Sequence, residues 1–176
     1  HPRPDPRHRL EHCTMIEDRH LERMVRLGAI ALPFTSYVWQ HGEKLRTFYG
    51  HRADRMFAHA SFLKAGVKTA ASSDHPAGLH PPLLGIQSMV TRRTADGEVI
   101  GPAERIDLED AVRLYTTHAA YASREERFKG CLTPGRAADF VILDRDPWDV
   151  PREEIGTIEV DRTVSGGRTT HRRPAM

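Results

Sequence analysis

The sequence has 176 residues, of which 39% are hydrophobic and 28% are charged. This composition supplies enough apolar material for a packed core and argues against global disorder. The 26 basic and 24 acidic residues leave a net charge of only +2. A near-balanced charge is not typical of a nucleic-acid-binding or anionic-membrane-binding surface, so we expect neither kind of partner.

The two cysteines, Cys13 and Cys131, lie far apart and form no CxxC pattern. They predict neither a disulfide scaffold nor a cysteine zinc site, and they fit a reducing compartment, so we expect a cytoplasmic protein. No apolar run approaches the roughly 18 residues of a membrane helix, and no secretory signal is visible. Because the sequence begins without Met, we expect that its beginning has been removed.

Short apolar runs alternate with amphipathic segments in the first part of the chain. The segments predict strands over 8–13, 29–34 and 67–74, helices over 17–28, 53–66 and 83–92, a long loop over 35–51, a surface excursion over 94–105, and a helix over 108–123. Asp107 and Asp110 have the spacing of a capping box at the start of that last helix. Strands that alternate with helices in this way are typical of parallel βα units, and hence of an α/β fold.

The pattern changes near residue 129. Residues 140–143 form a strongly apolar strand candidate, and β-branched residues flank Ser165-Gly166-Gly167, which predicts a β-hairpin. We therefore predict two parts, a βα region over 1–129 and a small β module over 130–176. Three βα units cannot close an eight-unit barrel, which takes roughly 250 residues. The units form either a small open sheet or the last part of a larger protein.

Two predicted strand ends carry side chains that can bind a metal ion, His12 and Asp74. Active groups of parallel α/β proteins lie at the carboxyl ends of strands, and imidazole with carboxylate suits zinc and similar divalent ions. Simpler interpretations exist, since His12 could be a hydrogen-bonded loop residue and Asp74 a turn former. Two ligands are also fewer than the usual three of a catalytic zinc, and neither HxH nor HExxH occurs.

The remaining candidates are weaker. His75 adjoins Asp74, but alternation along a strand points it elsewhere. His59 and His118 lie on predicted helices, where a packing role is the simpler interpretation. Arg93 lies at a predicted helix end, where a cation favours the helix dipole. No GxSxG nucleophile and no phosphate-binding glycine loop are present.

The chain nevertheless resembles the C-terminal part of amidohydrolase family 3, in its YtcJ-like branch, and is similar to N-substituted formamide deformylases. The resemblance extends from about residue 7 to residue 168. It rests on the ordered segments HRLEHCTMI, LGAIALPF, FLKAGVKTAASSDHP, LLGIQSMVTR, LEDAVRLYTTHAAYAS and GCLTPGRAADFVILDRDPWD. The "EH" and "SDxP" elements are fairly specific in this order, whereas the last segment is typical of the whole superfamily and bears on fold more than on substrate.

The resemblance implies a C-terminal portion of a TIM (β/α)₈ barrel, about strands six to eight, followed by strands of a composite β-sandwich. It implies that His12 is a metal ligand and that Asp74 contacts metal and serves as the catalytic base and then as the proton donor. The implied reaction is hydrolysis of a non-peptide, amide-like C–N bond by metal-activated water. The cofactor would be one or two divalent ions, with zinc preferred, and the substrate a small amide-like molecule.

Two departures from the family pattern accompany this resemblance. The early HxH pair, the strand-four bridging group and the strand-five histidine have no counterpart in the sequence, so we expect this chain alone to be inactive. His75 follows Asp74, where relatives often carry an aromatic or small residue, and could tune substrate fit or add a weak ligand. We expect the open strand edges to bind the N-terminal remainder of the protein or a second copy. The alternative is a non-catalytic α/β interaction module in which His12 and Asp74 are structural.

Overall fold

The computed structural model describes residues 3–174. Its helices and strands, labelled in chain order, are β1 Arg9–His12, α1 Asp18–Leu27, β2 Ile30–Pro33, α2 Tyr37–Tyr49, α3 His59–Lys64, β3 Lys68–Thr69, α4 Pro82–Thr91, α5 Leu108–Tyr115, α6 Thr117–Ala122, β4 Phe140–Leu143, β5 Val160–Ser165 and β6 Arg168–Arg172. The described residues also form 3₁₀ turns over Gly50–Arg55, Pro102–Glu104 and Arg152–Thr157. Helices connect and follow the three parallel strands up to α6, and only strands and a 3₁₀ turn come after it. The predicted α/β class is therefore confirmed.

Strands β1, β2 and β3 form a parallel sheet in that order. His12, the last residue of β1, lies opposite Pro33, the last residue of β2. Beyond the regular strands, an isolated parallel bridge joins Phe34 to Ser72. Because the strands run in one direction, their carboxyl ends lie at one edge of the sheet, and the segments that follow β1 and β3 meet there.

The central strand β2 is buried along its whole length, as its continuous apolar run predicts for a strand that pairs on both sides. Strand β1, at the edge of the sheet, is exposed along its length. Strand β3 is shorter than the predicted 67–74, since only Lys68 and Thr69 have regular pairing. Pro33 explains the early end of the ladder, because it has no N–H group to donate.

Helix α1 has the predicted position and ends at Gly28, whose φ of 62° gives the left-handed conformation that favours glycine. Leu21 and Met24 are its buried residues. Val25 and Leu27 are exposed, although both are apolar. Leu27 lies beside β1, where it lines a cavity together with Leu10.

The prediction of a loop over 35–51 is wrong, because most of this segment forms α2. Its buried residues are Val38, Gly42 and Leu45, which have helical spacing and face the core. Gly42 is one of the three, and a Cβ atom at this position would overlap Thr94 Cγ2. The buried face of α2 therefore contains a glycine at a position where the pattern of an amphipathic helix has a large apolar residue. For this reason the sequence pattern does not predict the helix.

The prediction of one helix over 53–66 is wrong in its first half. The chain forms a 3₁₀ turn, then an irregular corner with Phe57 at a φ of 51°, and then α3. Buried Arg92, from the end of α4, explains the break. Its guanidinium donates hydrogen bonds to the carbonyls of Met56 (3.1 Å) and Phe57 (3.2 Å), and of Ile100 (2.8 Å). These carbonyls bind a side chain instead of a helical N–H group.

Two further predictions around residues 94–123 were wrong. Ile100 is fully buried, so the segment over 94–105 is not simply a surface excursion. The predicted long helix is divided at Thr116, which has φ of −118° and ψ of −93°. The Thr116 hydroxyl donates to the Val112 carbonyl, a back-bond that competes with helix continuation. Asp107 precedes α5 but its side chain makes no cap hydrogen bond.

Strands β4, β5 and β6 form an antiparallel sheet in that order, which confirms the predicted strand and hairpin. The hairpin turn uses Gly166 and Gly167, both at positive φ, as a two-residue primed turn requires. The 3₁₀ turn before β5 packs on α4 through buried Ile155, and Gly156 N–H donates to Gln87 Oε1 at 2.7 Å. The second sheet is thereby attached to the helical layer of the first.

The described helices are short. Helix α2 has 13 residues, whereas a bilayer crossing takes about 20. Within residues 3–174, no helix combines the length and apolar character that spanning a membrane requires.

Candidate metal-ligating site

The two side chains that the sequence singles out meet at the carboxyl edge of the parallel sheet. His12 ends β1, and Asp74 lies in the loop between β3 and α4. His12 Nε2 and Asp74 Oδ1 are 3.8 Å apart. Parallel pairing therefore brings a strand-end imidazole and a strand-end carboxylate into one site, although they are far apart in sequence.

This pair fits part of the ligand set of a divalent ion. Zinc lies roughly 2.0–2.1 Å from imidazole nitrogen and roughly 2.0–2.2 Å from carboxylate oxygen, so a nitrogen and an oxygen that share one ion are at most about 4.3 Å apart. The observed separation of 3.8 Å is within that limit, and the side chains of His12 and Asp74 are 58% and 32% exposed. In the part of the chain that the structure describes, no three or more His, Cys, Asp or Glu side chains are arranged to hold a metal ion. The pair could thus supply two of the usual three protein ligands of a zinc ion.

Both residues have an unusual backbone conformation. The φ angle is 70° at His12 and 55° at Asp74, in the left-handed region. This region costs about 1–2 kcal/mol for most residues, and Asp and His are among those that tolerate it best. Such conformations cluster at ligand sites and active sites, so their presence at both members of the pair supports a functional role.

A row of rings fixes the imidazole of His12 against the core. The His12 ring lies 4.5 Å from the Phe34 ring, measured between centroids, and the Phe34 ring lies 4.5 Å from that of Tyr37. Tyr37 in turn contacts His41 at 4.8 Å in an edge-on arrangement. Burial, followed by the charge of Lys44, lowers the pKa of His41. Helix α2 supplies Tyr37 and His41, so the segment predicted as a loop builds one wall beside the site.

His75 has a ring neighbour of its own in the loop that carries Asp74, and the strand alternation predicted for it does not apply because β3 ends at Thr69. Its ring contacts the ring of His80 at 5.1 Å, and both residues are exposed in the loop between β3 and α4. The same loop is attached to α2, because Ser36 Oγ donates to the Leu79 carbonyl and Leu79 N–H donates to Gln40 Oε1. The loop that carries Asp74 is therefore anchored a few residues further along.

The other histidine and arginine candidates lie outside the pair. The Nδ1 atom of His118 lies 3.0 Å from the Thr69 carbonyl at the end of β3. His59 is buried, and neither of its ring nitrogens has a hydrogen-bond partner. Arg92, not Arg93, occupies the C-cap position of α4, while Arg93 donates to Gly97 O.

Sequence reasoning missed the residues that support the segment leading to Asp74. Thr35 follows β2 and donates to the Ser72 carbonyl through its N–H (3.0 Å) and its hydroxyl (3.2 Å). Its hydroxyl also contacts that of Tyr115, from α5. A threonine just after a strand is too common a feature to signal this role, and Tyr115 is distant in sequence.

The structure combines a parallel sheet in an α/β fold with an imidazole and a carboxylate at the carboxyl edge of that sheet. A model of the amidohydrolase family matches residues 1–171. The chain therefore belongs to the amidohydrolase family, which confirms the family recognised from the sequence.

The chain is similar to two curated members of this family. It is 32% identical over 169 residues to the N-substituted formamide deformylase of Arthrobacter pascens, covering 94% of this chain and 31% of the relative. It is 28% identical over 183 residues to the amidohydrolase YtcJ of Bacillus subtilis, covering 98% of this chain and 34% of the relative. The chain thus spans about a third of the length of these relatives.

Solved structures share the fold. A metal-dependent hydrolase from Pyrococcus horikoshii matches with a TM-score of 0.70 and 25% identity, over 82% of this chain and 30% of that protein. The ochratoxinase of Aspergillus niger matches with a TM-score of 0.67 and 21% identity, over 94% of this chain and 37% of that protein. The second likeness bears on fold alone.

Proposed function

We propose that this chain is part of a metal-dependent amidohydrolase that cleaves a non-peptide, amide-like C–N bond in a small molecule. The observation that carries the proposal is the 3.8 Å approach of His12 Nε2 to Asp74 Oδ1 at the carboxyl edge of the sheet. Membership of the amidohydrolase family and similarity to an N-substituted formamide deformylase support the same chemistry.

His12 and Asp74 would hold one divalent ion together with ligands from elsewhere in the protein, zinc being favoured by the mixed nitrogen and oxygen donors. When bound, such an ion polarises a carbonyl and lowers the pKa of a water molecule. One ion is enough to bind both His12 and Asp74, and a second ion would need further ligands.

Asp74 carries the proton in this proposal. Its carboxylate accepts a proton from the attacking water as the new C–O bond forms, and returns it to the leaving nitrogen as the C–N bond breaks. The oxygen and one hydrogen of the water molecule enter the carboxylic acid product, and its other hydrogen enters the amine product. A side chain that is 32% exposed can reach both water and substrate. His12 would offer the lone pair of Nε2 to the ion, with its ring held against Phe34.

We further propose that β1, β2 and β3 are strands six to eight of a (β/α)₈ barrel that includes residues 1–129, and that residues 130–176 belong to a composite β-sandwich. The parallel order of the first sheet and the antiparallel order of the second support this assignment. The TM-score of 0.70 with a metal-dependent hydrolase supports it as well.

We propose that the open edge of β1 binds another part of the same protein. An apolar cavity of about 710 Å³ lies beside β1, and Leu10, Met15 and Leu27 are exposed there. An exposed strand edge with apolar neighbours is a ready template for pairing. Relatives about three times as long contain enough residues to supply a strand that pairs with β1.

We also propose a cytoplasmic location. The free thiols of Cys13 and Cys131 fit a reducing compartment.

The decisive experiment replaces Asp74 in the longest natural form of the protein. Asp74→Asn keeps the size of the side chain but removes its proton-accepting charge, so we expect kcat to fall by about 10²–10⁴ on an N-substituted formamide. Release of the amine measures the rate, and elemental analysis of the purified protein measures zinc.

Asp96→Asn is the matched control, because Asp96 is exposed in a turn after α4 and lies outside the site. We expect its kcat to stay within about twofold of the wild type. An Asp74→Asn protein with wild-type kcat would reject the catalytic role and favour the interaction-module alternative.

A further inference from the structure

A buried pair of hydroxyl groups lies beneath the segment that leads to Asp74. Thr35 Oγ1 and Tyr115 Oη are 2.6 Å apart, and Thr35 Oγ1 lies 3.2 Å from the Ser72 carbonyl oxygen. The Ser72 carbonyl can only accept. When Thr35 gives its single hydroxyl proton to Ser72, Tyr115 donates to Thr35 Oγ1, and the hydrogen bonds run from Tyr115 through Thr35 to Ser72.

This chain of hydrogen bonds acts where regular strand pairing has stopped. Strand β3 pairs regularly only through Thr69, and the segment then continues to Asp74 without a ladder. Thr35 N–H also donates to Ser72 O at 3.0 Å, and Ala71 N–H donates to the carbonyl of Leu114, the neighbour of Tyr115. The Phe34–Ser72 bridge, Thr35 and helix α5 thus hold the segment up to two residues before Asp74.

Helix α4 packs closely against the two hydroxyl groups. A Cβ atom on Gly85 of α4 would overlap the Tyr115 hydroxyl and lie 2.6 Å from Thr35 Oγ1. Thr35 is buried, and burial raises the pKa of Tyr115 to about 12. The Tyr115 hydroxyl therefore keeps its proton and remains a donor over the ordinary working range of pH.

We infer that Thr35 and Tyr115 are positioning residues that hold the Ser72 carbonyl, and through it the carboxylate of Asp74, at the separation from His12 that the site needs. The inference rests on the proposed function. Neither residue acts on the substrate in this assignment. Loss of either hydroxyl removes part of this support and leaves only the backbone hydrogen bonds, so that the carboxylate spends less time in reach of an ion that His12 also binds.

The test uses Thr35→Val, Thr35→Ser and Tyr115→Phe in the longest natural form of the protein. Valine keeps the shape of threonine without its hydroxyl, and serine keeps the hydroxyl. Supporting residues behind metal ligands typically contribute 10–100-fold in affinity or activity. We expect zinc affinity, measured by competition with a chromophoric chelator, to fall at least tenfold in Thr35→Val and Tyr115→Phe. On an N-substituted formamide we expect kcat to fall similarly with KM within about twofold, and Thr35→Ser to restore both.

Matched controls are Thr47→Val and Tyr49→Phe, which remove exposed hydroxyl groups from α2. If Thr35→Val does not fold, Tyr115→Phe carries the test, because it retains the whole ring. Wild-type zinc affinity and kcat in Tyr115→Phe and Thr35→Val, beside an inactive Asp74→Asn, would overturn this inference alone. A fully active Asp74→Asn would overturn the proposed function first.

Discussion

His59 lies in the core without hydrogen-bond partners for its ring, and this makes the stability of the protein depend on pH in a calculable way. It is only 1% exposed, and neither ring nitrogen is bonded. Burial, followed by the nearby positive charge of Arg92, lowers the pKa of His59 to about 3. An unfolded chain leaves the same imidazole in water, where its pKa is about 6.5.

The sign and size of the effect follow from these two pKa values. Below pH 6.5 the unfolded chain takes up a proton at His59, while the folded protein does not until about pH 3. The stability is therefore fully present above pH 6.5 and is lost as the pH falls from 6.5 towards 3. At pH 5 the loss spans about 1.5 pH units, which corresponds to about 2 kcal/mol. This figure holds for any folded-state pKa well below 5.

The measurement is urea unfolding of the wild type and of His59→Met at pH 8 and pH 5. Methionine fills a buried site without a titrating group. We expect the free energy of unfolding of the wild type to fall by about 2 kcal/mol more than that of His59→Met between the two pH values. The other histidines are present in both proteins, so their contributions cancel in the difference.

Exposed His51 supplies the control, and His51→Gln should keep the pH dependence of the wild type. Equal losses of stability in the wild type and in His59→Met would refute the reasoning. Such a result would mean that the imidazole is protonated in the folded protein at pH 5, and hence that it is not isolated from water.

Two further predictions concern α2 and the isolated chain. Gly42→Ala should lower the free energy of unfolding by about 1–3 kcal/mol, because the new methyl group overlaps Thr94 Cγ2. Adding Thr94→Ser removes that Cγ2 atom and should recover part of the loss. Urea unfolding that shows no recovery in the double variant would contradict the overlap. Residues 1–176 alone should bind zinc weakly and show no hydrolase turnover, because His12 and Asp74 supply only two ligands; equilibrium dialysis that finds tight, stoichiometric zinc, together with turnover, would contradict this.

The sequence predicted those elements whose evidence is local. Strand β2 is a short, fully apolar run that ends at Pro33, and the hairpin turn carries two glycines where positive φ is needed. Helix α2 was missed because its apolar face includes Gly42, whose role is close contact with Thr94. The early break before α3 was missed because Arg92, a residue distant in sequence, takes the carbonyls that a helix would use.

The candidate site shows the same division. Its two members could be predicted, since a histidine and an aspartate at strand ends converge once the strands are parallel and adjacent to a common neighbour. Their left-handed backbone could not be predicted, because neither residue is a glycine and each tolerates several conformations. The supporting Tyr115 could not be predicted either, because its contact with Thr35 depends on how α5 packs across the sheet.

The geometry of the site follows from the register of the parallel sheet, whose pairing ends just before Asp74. Pairing places His12 opposite Pro33 and Phe34 opposite Ser72, so Asp74 lies two residues past the last bridge. Ser73 and Asp74 have no strand pairing of their own. The two hydrogen bonds from Thr35 to the Ser72 carbonyl hold the chain immediately before them. Thr35, two residues past Pro33, thus bears on the position of the Asp74 carboxylate and on its separation of 3.8 Å from His12 Nε2.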